Sequence, residues 1–313
     1  MRIVFIGTGE IGVPTLQALL RSSEHRLTGV VTQPDKPVGR TQQIEPPPIK
    51  RALAGTKMSI LQPVRIKGRE AIEEVRALRP EAIVVMAYGQ ILPRDLLEIP
   101  PVACLNLHAS LLPRWRGAAP IQAAIAAGDP ETGITVMYMA EGLDTGDILL
   151  QREIEILPTD TGGSLHDRLA QLAPEALLEA LQMLMKGNAQ RTPQDNALAT
   201  YAPKLTRDDG KIDWSESAEI IERKIRALNP WPGAFALVSE KSGRVMRLKV
   251  FDAKTVDEKG RPAEISRADN QGLIVGTGDN TISLGHVQLE GKRRMSAYDF
   301  VRGHARLLGR KLS

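Results

Sequence analysis

The stretch RIVFIGTGEIGVPTLQALL, residues 2–20, decides the fold of the N-terminal half of this chain. The apolar run RIVFI predicts a buried parallel strand, and VPTLQALL behind it predicts an amphipathic helix. Between them lies GTGEIG, residues 7–12, which fits the dinucleotide-binding pattern G-x-G-x-x-G. A strand, a glycine turn and a helix in this order predict the start of a parallel α/β sheet.

The second predicted strand, RLTGVVTQ, argues against a dinucleotide site. Dinucleotide-binding enzymes place an acidic residue at the end of this strand, where it binds the ribose hydroxyls. Here the strand ends with Thr32 and Gln33, and Asp35 lies beyond it between two prolines. We therefore expect the glycines to shape the turn and expect no binding of NAD.

Strands and helices alternate through the first half, which predicts a Rossmann-like α/β domain with a parallel sheet. Apolar runs predict further strands at 59–63, 81–87 and 103–108, and helical spacing predicts a helix at 69–79 and one or two helices over 164–187. Residues 133–139 and 147–156 read as the two strands of a hairpin. Residues 34–50 are rich in proline, glycine and polar residues, so we expect a long, mobile, irregular loop.

The second half has a different pattern. Polar residues without periodicity follow Gly187, then a helix is predicted at 217–228 and short strands alternate with turns up to residue 289. This pattern predicts a small β-barrel of OB-like type. The expected domains are a catalytic domain at 1–188, a linker at 189–208 and a C-terminal β-rich domain at 209–313.

Composition excludes several classes of protein. The 313 residues are 42% hydrophobic and 25% charged, an ordinary balance for a globular protein, and Cys104 is the only cysteine. A disulfide framework and a cysteine-rich metal site are therefore excluded, and a reducing compartment is the simple interpretation. No apolar run approaches the ~20 residues of a membrane span, and no signal peptide is recognisable. We expect a cytoplasmic monomer without membrane contacts.

The positive charge is concentrated in the second part of the chain. From residue 203 onward there are 21 Lys and Arg against 15 Asp and Glu, whereas the first 202 residues hold 20 against 22. A mildly basic surface is compatible with solubility alone. The alternative is a polyanionic partner such as nucleic acid.

The densest chemistry lies in CLNLHASLLPRWRGAAPIQAAI, residues 104–125. Asn106 and His108 alternate on one strand, so both side chains point to the same face. An amide beside an imidazole supplies a hydrogen-bond donor and an acid/base group, although both could be polar residues satisfied at a sheet edge. Asp144, in Gly-Leu-Asp-Thr-Gly between two strands, could reach a histidine or could form an Asx turn.

Two other kinds of site find little support. His108 and Asp144 could bind a metal, but no third ligand is convincing, and we expect none. No serine or cysteine shows the signature of a catalytic nucleophile.

Residues 106–113, NLHASLLP, with Asp144 downstream, resemble the signature of the formyltransferases that use 10-formyltetrahydrofolate. A longer set of motifs resembles the methionyl-tRNA formyltransferases within that family. The motifs are Thr32 to Pro37, Ala87-Tyr88-Gly89, Ser110 to Gln122, Gly142 to Asp147, Lys204-Leu205, Ile212-Asp213-Trp214 and Asn229 to Pro232. Ala109 stands where glycine is common in the family, and Gly233-Ala234-Phe235-Ala236 follows the Asn-Pro-Trp-Pro motif at a point where a second aromatic residue is often found.

The resemblance implies a Rossmann-like formyltransferase domain followed by a tRNA-binding domain. It implies transfer of a formyl group from 10-formyltetrahydrofolate to the α-amino group of methionine on initiator tRNA, giving N-formylmethionyl-tRNA for translation initiation. The implied roles are catalysis by Asn106, His108 and Asp144, folate binding by residues 110–113 (Ser110, Leu111, Leu112 and Pro113), and tRNA binding by Arg40 and Lys204.

Other classes remain open at this point. A formyltransferase for a sugar nucleotide or glycinamide ribotide, or a formyltetrahydrofolate hydrolase, would share the Asn/His/Asp set. Such enzymes would not require a basic C-terminal domain or the long loop after Thr32. A non-catalytic RNA-binding module is a third possibility, which the intact catalytic set disfavours.

Overall fold

The computed structural model describes residues 1–39, 42–239, 245–269, 272–304 and 307–313. Its contacts divide the chain into two compact units. The first unit comprises Met1–Pro120, Glu131–Glu155 and His166–Ala202. The second unit comprises Ile121–Pro130, Ile156–Leu165 and Pro203–Ser313.

The first unit is built on a seven-stranded sheet with the order β10-β9-β7-β6-β1-β2-β5. The strands of the first unit are β1 (Arg2–Gly7), β2 (Arg26–Val31), β3 (Lys36–Val38), β4 (Gln43–Glu45), β5 (Ile60–Leu61), β6 (Ala82–Met86), β7 (Ala103–His108), β8 (Arg116–Gly117), β9 (Glu131–Tyr138), β10 (Ile148–Glu155) and β11 (Tyr201–Ala202). The helices are α1 (Val13–Arg21), α2 (Pro48–Ala52), α3 (Arg69–Ala77) and α4 (Arg94–Leu97), while α5 (Pro120–Ala127) and α6 (Gly162–Met185) belong partly to the second unit.

Five neighbouring strands of this sheet, from β7 to β5, are parallel, and β9 and β10 continue it in antiparallel pairing. The central strands are apolar runs because a parallel sheet covered on both faces buries every side chain; β6 is buried along its whole length. The predicted parallel α/β arrangement is confirmed, and so are the hairpin of β9 and β10 and the helix α3.

The glycine motif forms the turn from β1 to α1. The backbone N–H groups of Thr8 and Gly9 both donate to the carbonyl of Ala87, at 3.2 and 3.3 Å. A Cβ atom at Gly7 would lie 2.7 Å from the Phe5 ring and 2.8 Å from the Met86 carbonyl. Close packing against the β6 end therefore accounts for Gly7, and two of the amides that could have cradled a phosphate are already used.

The segment 34–50 differs from the predicted irregular loop. It contains a short antiparallel hairpin, β3 and β4, which pairs Lys36 with Glu45, and it runs into helix α2. The hairpin depends on pairing between two short strands, which the periodicity of a single strand cannot reveal. At the base of this hairpin, Lys50 donates to both carboxylate oxygens of Asp35 at 2.8–2.9 Å.

Helix α6 is a single helix, where the sequence left one or two open, because its interior Pro174 does not break it. Its inward face is a stripe of small and leucine side chains at helical spacing. The buried members are Leu165, Leu169, Ala173, Ala176, Leu177, Ala180 and Leu181. Gly187, with φ +69°, lies just past its end, as expected for a C-terminal helix cap.

The second unit is a small antiparallel barrel. Its elements are α7 (Ala218–Ala227), β12 (Ala234–Ser239), β13 (Val245–Val256), β14 (Ile265–Asp269), β15 (Gly272–Gly276), β16 (Thr281–Leu289), β17 (Met295–Ser296) and α8 (Ala297–Gly303). The strands follow the order β12-β13-β16-β15-β14, with β17 beside β16. The chain terminus closes the ring, because Leu312 bonds to Ala263 before β14 and Ser313 bonds to Leu237 of β12.

The predicted barrel is therefore confirmed, whereas β14 and α8 had no clear signal in the sequence. Strand β14 is only five residues long and half polar. Helix α8 has seven residues and buries only Ala297, Phe300 and Val301, too few for a helical period to stand out. No helix within the described ranges is long and apolar enough to cross a membrane.

Candidate functional site

The site is built on β7, an interior strand of the first unit. Asn106 pairs with Val85 of β6 on one side and with Met137 of β9 on the other. His108 is the last residue of the strand and is 6% exposed, while Asn106 is half-buried. Within the described residues the Asn106 amide makes no hydrogen bond, so its donors are available to a ligand.

The imidazole of His108 has an acceptor near each ring nitrogen. Its Nε2 lies 2.8 Å from the carbonyl oxygen of Trp115, and its Nδ1 lies 3.6 Å from Oδ2 of Asp144. A carbonyl and a carboxylate can only accept hydrogen bonds, so each can act as a partner for a ring N–H of His108. The side chains of His108 and Asp144 are 7% and 15% exposed, which shields their interaction from solvent.

Asp144 is held in an unusual backbone conformation. Its φ is +53°, a left-handed value that costs a non-glycine residue on the order of 1–3 kcal/mol. Its carboxylate accepts a hydrogen bond of 2.8 Å from the backbone N–H of Gly117, and its own carbonyl accepts one from Gln194, also 2.8 Å. The surrounding structure therefore offsets the strain and directs the carboxylate toward His108.

The turn after β7 contains the four residues expected at the folate site. Ser110 is fully buried and its hydroxyl donates to the Arg114 carbonyl at 2.7 Å. Leu112 is also buried, and its backbone N–H donates to the Thr135 hydroxyl. Leu111 and Pro113 are only partly buried. Of the four, these two side chains are the ones with surface left for a ligand.

Sequence reasoning assigned no role to two side chains of this site, Arg116 and Gln194. Arg116 is 2% exposed, and its guanidinium donates to Oε1 of Gln194 through Nε and Nη2, at 3.0 and 2.8 Å. Gln194 in turn donates to the carbonyls of Asp144 and Gly146. The motif Arg-Trp-Arg-Gly marked Arg116, but nothing local marked Gln194, which falls in the segment predicted to be a linker.

That segment is tied to the first unit in the structure. Thr192 and Ile148 exchange two backbone hydrogen bonds, and β11 pairs with β8 in parallel register. His166–Ala202 cluster with the first unit, and Pro203–Ser313 with the second.

The structure does not test the two residues expected to bind tRNA. Lys204 is an exposed residue of the second unit. Arg40 lies outside the described residues, so its role stays a prediction.

Burial controls the ionisation of two neighbouring groups. Burial raises the pKa of the Cys104 thiol to about 12, and that of the Tyr88 hydroxyl to about 12. Cys104 lies two residues before Asn106 on β7, yet its neutral thiol is a poor nucleophile at physiological pH. In the described part of the chain, no group of three or more His, Cys, Asp and Glu side chains is arranged to hold a metal ion.

Comparisons with known proteins show the family to which this chain belongs. A family model described as Formyl transferase matches residues 1–181, and one described as Formyl transferase, C-terminal domain, matches residues 204–305. A methionyl-tRNA formyltransferase of Akkermansia muciniphila is 45% identical over 98% of this chain and 98% of its own length. This chain belongs to the methionyl-tRNA formyltransferases. The resemblance seen in the motifs is thereby confirmed, as is the prediction of a formyl-transferring enzyme.

Solved structures share the fold of this methionyl-tRNA formyltransferase family member. The methionyl-tRNA formyltransferase of Clostridium thermocellum superposes with a TM-score of 0.56 at 20% identity, over 82% of this chain and 94% of its own. HypX of Aquifex aeolicus, solved in complex with tetrahydrofolic acid, gives a TM-score of 0.63 at 19% identity, over 96% of this chain and 47% of its own.

Proposed function

We propose that this chain transfers the formyl group of 10-formyltetrahydrofolate to the free α-amino group of methionine on initiator methionyl-tRNA, giving N-formylmethionyl-tRNA for translation initiation. Membership of the family supports the reaction class and the acceptor. The observation that carries the chemistry is the His108–Asp144 pair at 3.6 Å beside Asn106, whose amide donors are free within the described residues.

The attacking group needs little activation. A free α-amino group has a pKa of about 8, so a useful fraction is neutral at pH 7. Its nitrogen attacks the formyl carbon, the carbonyl electron pair moves onto oxygen, and a tetrahedral oxyanion forms. The main task of the protein is then to stabilise this negative charge with donors already in place.

Asn106 and His108 are the donors proposed for that oxyanion. The Asn106 amide donates from the middle of β7. His108 donates from Nε2, and the reacting oxygen must share or displace the Trp115 carbonyl, which now lies 2.8 Å from that nitrogen. Collapse of the intermediate breaks the bond to N10 of the folate. The proton lost by the amine then replaces the formyl group on N10, and His108 is placed to relay it.

Asp144 acts on His108 and not on the substrate. Its carboxylate lies 3.6 Å from Nδ1, where it orients the ring and stabilises positive charge that develops there during proton relay. The N–H of Gly117 occupies the same carboxylate oxygen, which supports a positioning role over a role as general base.

The folate donor is proposed to bind along the turn after β7. Leu111 and Pro113 offer partly exposed apolar surface, while Ser110 and Leu112 shape the turn from inside. Arg40 and Lys204 are proposed to contact tRNA. The protein is proposed to act as a cytoplasmic monomer, and its single buried cysteine suits a reducing compartment.

The test is an assay of the purified protein with 10-formyltetrahydrofolate and initiator methionyl-tRNA, beside elongator methionyl-tRNA. We expect formylmethionyl-tRNA with the initiator and much less with the elongator. Equal rates with the two tRNAs would contradict the proposed selectivity for the initiator tRNA. Hydrolysis of the folate donor without formylated tRNA, or transfer only to a small amine, would overturn it.

A further inference from the structure

The buried guanidinium of Arg116 has an environment that packing alone does not explain. Within the described chain it makes no ion pair, and its hydrogen bonds go to the neutral oxygens of Gln194 and Asn196. Burying a charge among neutral partners is costly. The position of Arg116 therefore needs an explanation, and its hydrogen-bond partners provide one.

The buried guanidinium of Arg116 fixes the orientation of the Gln194 side-chain amide. Because the guanidinium holds Oε1 through two bonds, the NH₂ group of Gln194 must face the opposite way. It donates to the carbonyls of Asp144 and Gly146 at 2.8 and 2.7 Å. A flipped amide would place its oxygen against two carbonyl oxygens and its NH₂ against a guanidinium, so only one orientation satisfies every partner.

The loop held by Gln194 is the loop that carries the acidic partner of His108. Asp144 is therefore restrained at two points: its carbonyl by Gln194 and its carboxylate by the N–H of Gly117. Gly117 follows Arg116 directly on β8. One short strand thus supplies both restraints, the first through the Arg116 side chain and the second through its own backbone.

We infer that Arg116 and Gln194 are positioning residues for formyl transfer: Arg116 orients the Gln194 amide, which holds the Asp144 loop so that its carboxylate faces His108. This inference rests on the proposed function. It assigns a role in the reaction to a residue from the segment between α6 and β11, far from β7 in sequence.

The decisive variant is Gln194→Glu. Glutamate has nearly the same shape and pairs with Arg116 through a charge-assisted bond, which offsets part of the loss of the two hydrogen bonds, so the variant is expected to fold. It has no N–H to offer Asp144 and Gly146. Since a displacement of about 1 Å at a reacting group costs on the order of a hundredfold, we expect kcat to fall about a hundredfold and KM for both substrates to stay within about twofold.

Two further measurements separate positioning from a merely structural role. In an Asp144→Asn background, Gln194→Glu is expected to lower kcat little further, because both changes act on the same interaction with His108. Asn196→Ala is the matched control, since it removes one bond to Arg116 without touching the Asp144 loop. It is expected to lower the melting temperature and to keep kcat.

The outcomes distinguish this inference from the proposed function. A wild-type protein that fails to formylate initiator methionyl-tRNA contradicts the proposed function. The distance from His108 Nδ1 to Asp144 Oδ2 in a crystal structure of Gln194→Glu then tests the positioning directly, and we expect it to exceed that of the wild type. An unchanged distance, wild-type kcat in the folded variant, or full additivity with Asp144→Asn overturns the inference.

Discussion

At the residue scale, His108 is the centre of the chemistry because acceptors lie near both of its ring nitrogens. Nδ1 faces a carboxylate whose position is set by a backbone N–H. Nε2 faces a carbonyl that a reacting oxygen can replace. Asn106, two residues earlier on the same strand, adds a second donor with no competing partner in the described residues.

The first prediction concerns these side chains. We expect Asn106→Ala, His108→Ala and Asp144→Ala each to lower kcat, by about 10²–10³ where an oxyanion donor is lost, with little change in tRNA affinity. Steady-state kinetics with charged initiator tRNA, together with a filter-binding assay, measure both quantities. Near wild-type turnover in all three variants would show that the catalytic assignment is wrong.

Sequence patterns mark candidate site residues where the signal is local. Asn106 and His108 alternate along one apolar strand, and glycines bracket Asp144, so short patterns marked all three. Gln194 could not be found in this way. Its role depends on Arg116, which lies 78 residues away in the chain, and on a parallel pairing of two-residue strands that have no periodicity of their own.

At the element scale, the turn from β1 to α1 shows how a familiar motif can serve packing. Gly7 lies against the Phe5 ring and the Met86 carbonyl, whereas a Cβ atom at Gly9 would be 3.4 Å from that of Ala87, an ordinary contact. The two glycines look equivalent in the motif but differ in their surroundings.

The second prediction follows from that difference. Gly7→Ala should destabilise the protein by about 1–3 kcal/mol through overpacking, and Gly9→Ala should change the free energy of unfolding by no more than about 0.5 kcal/mol. Urea denaturation measures both changes in the free energy of unfolding, provided that this free energy falls with urea concentration at the same slope in the variants and the wild type. Micromolar NAD binding that is lost in Gly9→Ala would instead assign the turn to a nucleotide site.

The hairpin of β3 and β4 carries the third prediction. We expect Arg40→Ala to lower kcat/KM on initiator tRNA by about 1–3 kcal/mol in transition-state terms, because an arginine here can contact phosphates or base edges near the acceptor end. Folate binding should not change. Lys57→Ala removes an exposed cation from the same unit and serves as the control. Full activity of Arg40→Ala would leave this segment without a role in substrate selection.

The short elements that sequence reasoning missed were missed for one physical reason. Helices α2 and α4 have five and four residues, and β14 has five, so none spans enough periods for its buried positions to form a pattern. The hairpin depends on pairing across a turn. Long elements such as α6 were readable because a stripe of buried side chains repeats over many turns.

At the scale of the whole molecule, the two compact units do not follow a single cut in the chain. Residues 121–130 and 156–165 cluster with the C-terminal barrel. There, Arg226 donates to the carbonyl of Asp160 at 2.8 Å, and Arg223 to that of Ala127. Deleting everything after residue 208 would strip these segments of their partners. The role of the second unit is therefore better tested by point variants in the full chain.

The basic character of the second unit leads to the last prediction. Lys292 and Arg293 are exposed and border a cavity of about 490 Å³ floored by Leu289, Met295 and Phe300. If these cations contact phosphates, binding of tRNA releases counterions, and its affinity falls as salt rises. We expect the double variant Lys292→Ala/Arg293→Ala to weaken tRNA binding and to reduce the slope of log K against log salt by about 1 for each phosphate that is no longer neutralised.

A control double variant and the KM for the folate make this test specific. Arg267 and Glu258 form an ion pair on the same unit, and removing both leaves the net charge unchanged, so Arg267→Ala with Glu258→Ala should leave the salt slope unchanged. KM for the folate should stay constant in both double variants, because the proposed folate surface belongs to the first unit. A salt-independent affinity for tRNA, or equal slopes in the wild type and Lys292→Ala/Arg293→Ala, would assign the excess positive charge to solubility alone.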